Sequence, residues 1–405
     1  MLEKNKSKII AYCYIILLYL LVFQNFLQSF IGIFQYLDET IALVGFLALI
    51  YDTIRKRGKV DKKNFIILVC LLFIFIIGMY AVIKNKYQTI TYALLDAVLL
   101  FKFFLVYFLG QIVTKNNNII NYSNKIYLNL KIIVVILAIF TIVNYVFKIY
   151  PFGERYGIMV NKLFFEHPTY LAAACMALIV NIMAFSKRFN NIYVCIALMI
   201  LASTLRAKAI AGAVVVIIIA IYVNKTKRKI SMLRMSIIGI IAIIVAFPQI
   251  KYYFFDIEGS ARRVLTETSI KIANDNFPIG TGFGTFASYA SGENYSGVYE
   301  AYGISDVQGL EKEKANFVSD TFWPLIIGEF GYLGTILYLI CLLIIFIRMQ
   351  KSFKKENSKI YIAKFSALAY LLISSIAEPS FVNPISIPLA LILGMEINGE
   401  REEKE

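Results

Sequence analysis

The sequence predicts an all-α, polytopic integral membrane protein, and three observations carry that reading. Hydrophobic residues make up 59% of the 405, with a mean hydropathy of +0.70. Uncharged runs such as "IIAYCYIILLYLLVFQNFLQSF" and "MSIIGIIAIIVAF" approach the ~20 apolar residues that span hydrocarbon. The basic residues fall on alternate connections, as the positive-inside bias requires. A formal net charge of +15 would point a soluble protein towards nucleic acid. Here cytoplasmic loops account for it, and no nucleic-acid partner is expected. Cys13, Cys70, Cys175, Cys195 and Cys341 all sit in apolar segments and form neither a disulfide framework nor a metal cluster. With His167 the single histidine, no zinc, haem or other cofactor is expected.

About twelve spans follow from hydropathy, at residues 9–31, 37–54, 64–83, 90–113, 128–147, 169–185, 191–205, 207–223, 232–249, 321–347, 360–377 and 384–398. They form one membrane domain over 1–405. The N-terminal "MLEKNKSK" before a long apolar run, without a small-residue cleavage site, reads as a signal anchor. With the N-terminus cytoplasmic, the inside stretches and their flanks hold 27 of the 41 basic residues and the outside stretches 13. Both termini are therefore expected in the cytoplasm. Residues 191–223 are read as two helices with a turn at Ser203–Lys208. One long helix would bury Arg206 and Lys208 near the bilayer centre, at high cost. Residues 250–320 become one large extracytoplasmic loop, with ten acidic and six basic residues. In that loop Ala261, Val264, Leu265, Thr268 and Ile272 recur at helical spacing, predicting an amphipathic helix on the membrane. The Lys-, Ile- and Asn-rich composition points to an AT-rich bacterial genome, so the expected location is a bacterial plasma membrane.

"PIGTGFG" at 278–284 has the glycines of a phosphate-cradling loop but not the context. A dinucleotide fingerprint needs G-x-G-x-x-G between a buried strand and a helix, and neither the spacing nor the strand is present. It is expected as an extracytoplasmic turn. Basic residues on the outer side run against the charge bias and need a reason. Arg155, Arg206, Lys208, Arg262 and Arg263 read together as an anion clamp, because guanidinium forks suit phosphate oxygens. The alternative for each is snorkelling to lipid headgroups. Asp320 at the start of a span is placed for a general base or a helix N-cap. Glu329, nine residues on, would face away by about half a turn and reads as structural. His167 suits proton transfer or a local hydrogen bond. Asp96 and Lys102 read as a mutual or inter-helix pair. Tyr252, Tyr253, Tyr289, Tyr295, Tyr299 and Tyr302 are candidates for a glycan groove, with interfacial belt positions as the alternative and the better reading for the first two.

In order along the chain, "RYGIMVNKLFFEHPTYLA", "ASTLRAKA", "RRVLTETSIKIANDNFPIGTGFGTF" and "SDTFWPLIIGEFGYLG" resemble the O-antigen ligase/polymerase family, which includes Wzy-type polymerases of capsule and O-antigen. The resemblance covers roughly residues 150–345; the earlier spans match only in hydropathy. The ligase branch begins its last element with His-Asn, nine residues before the glutamate of E-x-G-x-x-G. Here Asp320-Thr321 stands in that place, which favours a polymerase over a ligase. The resemblance implies an inverting, metal-independent membrane glycosyltransferase that joins polyprenyl-diphosphate-linked oligosaccharide units on the outer face of the membrane. Asp320 or His167 would take the proton, the five cations would hold the diphosphate, and Gly280, Gly282, Tyr289, Tyr295 and Trp323 would line the glycan. A flippase and a chain-length regulator would be pathway partners. The reading of a different class is a transporter or flippase for lipid-linked glycan. Inverted repeats or broken helices would mark it, and the sequence shows neither.

Overall fold

The computed structural model describes residues 2–115, 119–155, 157–186, 191–252, 259–353 and 358–396. The C-terminal tail expected in the cytoplasm, residues 253–258 of the expected outer loop and parts of three expected basic loops lie outside the described residues. The chain is nearly all helix. In order come α1 (Leu2–Val22), α2 (Gln24–Gln28), a 3-10 turn at Gly32–Tyr36, α3 (Leu37–Arg55), α4 (Lys62–Asn85), α5 (Ile90–Lys115) and α6 (Ser123–Phe147). A two-residue hairpin follows, β1 (Glu154–Arg155) antiparallel to β2 (Ile158–Met159). Then come α7 (Pro168–Phe185), α8 (Ile192–Ser203), α9 (Ala207–Thr226), α10 (Met232–Lys251), α11 (Ala261–Asp275), α12 (Tyr289–Glu293) and α13 (Val298–Ala301). The chain closes with α14 (Trp323–Ser352), α15 (Ser358–Ser374) and α16 (Ser386–Gly394).

Among the described residues, 8 helices are long and apolar enough to cross a membrane. Each of the other expected spans also holds a helix, in α8, α10, α15 and α16. The expected turn between α8 and α9 is present, made by Leu205 in a left-handed conformation. The bundle is apolar outside as well as inside, as a membrane protein must be. Leu43, Leu47 and Ile54 on α3, and Ile139, Ile142 and Phe147 on α6, are large, apolar and exposed. By contrast α7 is buried nearly all round, with α6, α8 and α15 packed on it.

The main departure from expectation is at the glycines. Gly331 breaks α14 with φ 61° and ψ −162°, which frees carbonyls that a straight helix would satisfy. The PIGTGFG segment fills the break. Thr281 N donates to Gly328 O (3.0 Å), Gly282 N to Glu329 O (2.8 Å), and Leu333 N to Pro278 O (3.1 Å). A Cβ on Gly280 would come within 2.1 Å of Gly328 O, and one on Gly282 within 2.6 Å of Val82 N. So these glycines permit close approach of this segment's backbone to α4 and α14. Phe283 is fully buried among Phe75, Phe101 and Phe330. The helix expected on the membrane surface, α11, is formed, and it lies against α14 with Ala261, Leu265, Thr268 and Ile272 buried.

Candidate active site

A cavity of about 1440 Å³ opens into this bundle, larger than the ~300–1,000 Å³ of a single small-molecule site. It has a polar head and an apolar body. The body is walled by one face each of three helices: Met235, Ile238 and Ala242 on α10, Leu339, Leu342 and Phe346 on α14, and Phe365, Leu368 and Leu372 on α15. The i, i+3, i+7 spacing on each helix is why a single stripe faces inward. It forms because α15 rests on α7 and α9 while α14 rests on α4 and α11, so the two barely meet. On α14 the apolar lining beyond the break at Gly331 runs from Leu339 to Met349, a rise of roughly 15 Å.

The head gathers Arg155, His167, Arg206, Lys208, Arg262 and Asp320 from five separate segments. Four of these residues sit at or within two residues of a helix start. His167 and Arg206 occupy the N-cap positions of α7 and α9, and Lys208 and Arg262 the first turns of α9 and α11. His167 Nε2 lies 2.6 Å from an Arg206 Nη. A guanidinium only donates, so Nε2 is the acceptor, and Nδ1 faces the start of α7, 2.9 Å from Thr169 Oγ1 and 3.3 Å from Thr169 N. Burial, then Arg206, Lys208, Arg155 and Lys162, push the imidazole pKa down to about 4. Phe152 meets both partners, its ring 5.4 Å from the His167 ring and 5.8 Å from the Arg206 guanidinium. Arg155 reaches the turn between α8 and α9 through Leu205 O at 3.4 Å.

Two carboxylates stand among these cations. Asp320 Oδ2 accepts from Arg262 Nη2 at 3.0 Å. Burial raises the Asp320 carboxyl above its ordinary range, against the opposing pull of Arg262 and Lys208. The N-cap reading of Asp320 fails, because α14 starts at Trp323 with Phe322 in the cap position. Glu378, just beyond α15, pairs with Lys208 and leaves its other oxygen buried without a donor. Counting four cations against two carboxylates, with His167 neutral, this wall carries two surplus positive charges.

Several expected residues stand elsewhere. Arg263 points about 100° away from Arg262 and pairs with Glu267 on the exposed face of α11 (2.9 Å). Tyr295 donates to Leu310 O at 2.7 Å and stacks on Tyr299, off the cavity. Tyr289 and Trp323 do line it. Asp96 and Lys102 do not pair with each other. Lys102 bridges Asp38 and Glu39 at the start of α3. Asp96 accepts from Gly284 N (3.1 Å) and touches Glu329, whose other bond is from Phe286 N (3.1 Å). Glu378, Phe152 and the Asp38–Glu39 pair are the lining or supporting residues that sequence reading missed. Glu378 alone had a signal, as an isolated carboxylate ending the apolar run "LLISSIAEP". The chain matches no protein-family model and no curated protein.

Proposed function

We propose that this chain is a polysaccharide polymerase, a membrane glycosyltransferase that joins oligosaccharide units carried on a polyprenyl diphosphate. One observation carries the reading: a single cavity joins a cation-rich head to an apolar body walled by α10, α14 and α15. That pairing matches a ligand with a diphosphate at one end and a long hydrocarbon at the other. Arg155, Arg206 and Arg262 supply donors for phosphate oxygens, and preorganised cations stabilise the charge that develops as the diphosphate leaves. A hydroxyl of one lipid-linked unit attacks the anomeric carbon of the growing chain, the bond to diphosphate breaks, and the configuration inverts. Asp320 takes the hydroxyl proton, and its raised affinity for a proton suits that step. His167 does not serve as the base, since its acceptor nitrogen already holds Arg206; it orients that guanidinium. On this reading the twelve helical segments belong to the bilayer, the cavity head and the 250–320 region face outwards, and both termini lie in the cytoplasm of a bacterium. A flippase delivers the units and a chain-length regulator works alongside.

The broken α14 favours a second reading, a transporter of lipid-linked glycan, because interrupted helices mark many transporter sites. The break in this chain is already filled, its freed carbonyls bonded to Thr281 and Gly282, which weighs against it. Deletion of the encoding gene followed by electrophoresis of surface polysaccharide tests both. A polymerase leaves single repeat units at the surface; a transporter leaves none there. Undiminished long polymer would refute the proposal.

A further inference from the structure

Residues 303–320 form a strap without helix or strand that borders the cavity and ends at Asp320. Leu310 and Val318, 0% and 1% exposed, pin it to the core, and the Tyr295 hydroxyl donates to Leu310 O at 2.7 Å. Phe317 N donates to Gly309 O at 2.9 Å, which closes the strap on itself and draws the neighbouring Gln308 and Asn316 together. Gly309 has φ 84°, and a Cβ there would come within 2.1 Å of Phe317 Cδ2. Glycine is what lets the ring lie against this backbone. Held there, the Phe317 ring is still 44% exposed and lines the cavity. Gln308, Asn316 and Ser319 line it too, and their side chains hydrogen-bond to nothing among the described residues. Gln308 and Asn316 are exposed, so a ligand in the cavity can reach both amides. The turn that presents the ring also presents the carboxylate, since Asp320 N donates to Phe317 O at 3.2 Å.

Amides and hydroxyls both donate and accept, and none of these three side chains is charged. The matching ligand is neutral and carries groups of the same dual kind, as sugar hydroxyls and acetamido groups are. An exposed phenyl ring beside them offers a flat surface to the C–H face of a pyranose. A diphosphate is drawn instead to the cations Arg155, Arg206 and Arg262, whose hydrogen bonds to it are charge-assisted. We infer that the strap is the subsite for the acceptor sugar: a neutral pyranose rests its ring on Phe317, and Gln308, Asn316 and Ser319 take its hydroxyls. This rests on the polymerase reading and adds to it how the attacking hydroxyl comes to stand beside Asp320, which shares a turn with the ring.

The test uses the full chain in lipid nanodiscs and saturation-transfer NMR with the methyl glycosides of glucose, galactose and N-acetylglucosamine. Transfer is expected to at least one of them, strongest to the protons of a single ring face, the face that stacks on Phe317. Asn316→Ala and Phe317→Leu should each weaken binding by about two- to tenfold, the worth of one neutral hydrogen bond or one ring contact. Both positions are exposed, so gel-filtration profiles should stay as in the wild type. Should Phe317→Leu misfold, Asn316→Ala decides alone. Inorganic pyrophosphate should leave the sugar signals in place. No transfer to any of the three glycosides, equal binding in the variants, or displacement by pyrophosphate would each overturn the subsite. The expected transfer and losses in a chain whose deletion leaves long polymer intact would instead sink the polymerase reading and spare the sugar site.

Discussion

At the scale of single residues, the assignments at the cavity head separate by substitution. Asp320→Asn keeps the shape and removes the proton acceptor. Polymer formation should fall by about two to four decades, with the protein accumulating normally. A base must be ionised, and burial holds this carboxyl above its ordinary range. The acid limb of the activity profile should therefore lie above the ~3.9 of a free aspartate and vanish in the Asn variant. Normal polymer from Asp320→Asn would exclude the base role. Among the cations, Arg155→Ala, Arg206→Ala and Arg262→Ala should each lose polymer, with lysine rescuing only in part because the fork is gone. Arg263→Ala should behave as wild type, since an exposed i,i+4 pair is worth only ~0.3–0.5 kcal/mol. His167 leaves a different signature. Its folded pKa of about 4 lies below the ordinary 6.5, so the unfolded chain takes up a proton between these values that the folded chain does not. Stability from this group is present above pH 6.5 and is lost as pH falls towards 4. Thermal unfolding in detergent should show a steeper acid-side loss in the wild type than in His167→Gln. Equal slopes would refute the neutral, Arg206-bound imidazole.

At the scale of elements, the interlock between the PIGTGFG segment and broken α14 holds the cavity's back wall. Gly280→Ala would drive a Cβ to 2.1 Å from the Gly328 carbonyl, and Gly331→Ala would meet Pro278 O at 2.6 Å in a left-handed conformation. Neither neighbour is a flexible side chain, so each substitution should cost about 1–3 kcal/mol or more. Gly292→Ala meets nothing nearer than 3.6 Å and should fold normally. Purified yield and gel-filtration profile of the three variants decide the point; a well-folded Gly280→Ala would show that the interlock yields. The sequence announced these glycines but not their use. "PIGTGFG" signals tight backbone, while its partner, the break at Gly331, lies fifty residues on in a run that reads as ordinary apolar helix. Helices such as α4, α5 and α7 were legible because apolar runs and lysine-bearing ends are local signals. The pairs Lys208–Glu378 and Lys102–Asp38 were not, because no spacing rule links residues 170 and 64 positions apart.

At the scale of the whole molecule, two polar ends enclose an apolar band. One end is the cavity head; at the other, Arg348 ties Asp61 and Asn64, each at 2.8 Å, and also Glu396. The proposal places these ends on opposite sides of a membrane. Ala301 and Lys59, both exposed, sit at the two ends as cysteine-labelling positions. On intact cells an impermeant reagent should reach a cysteine at 301 and not one at 59; the reverse pattern would invert the topology. The resemblance that suggested a glycan polymerase rested on short motifs. Of the residues it named, Arg155, Arg206, Arg262 and Asp320 line one cavity, and Arg263, Gly280, Gly282 and Tyr295 stand off it. The most direct measurement is reconstitution. The purified chain in liposomes, supplied only with the lipid-linked repeat units that accumulate in its deletion strain, should convert them into a ladder of longer lipid-linked glycans and release polyprenyl diphosphate. Units that cross the bilayer without lengthening would contradict the account and make the protein a transporter.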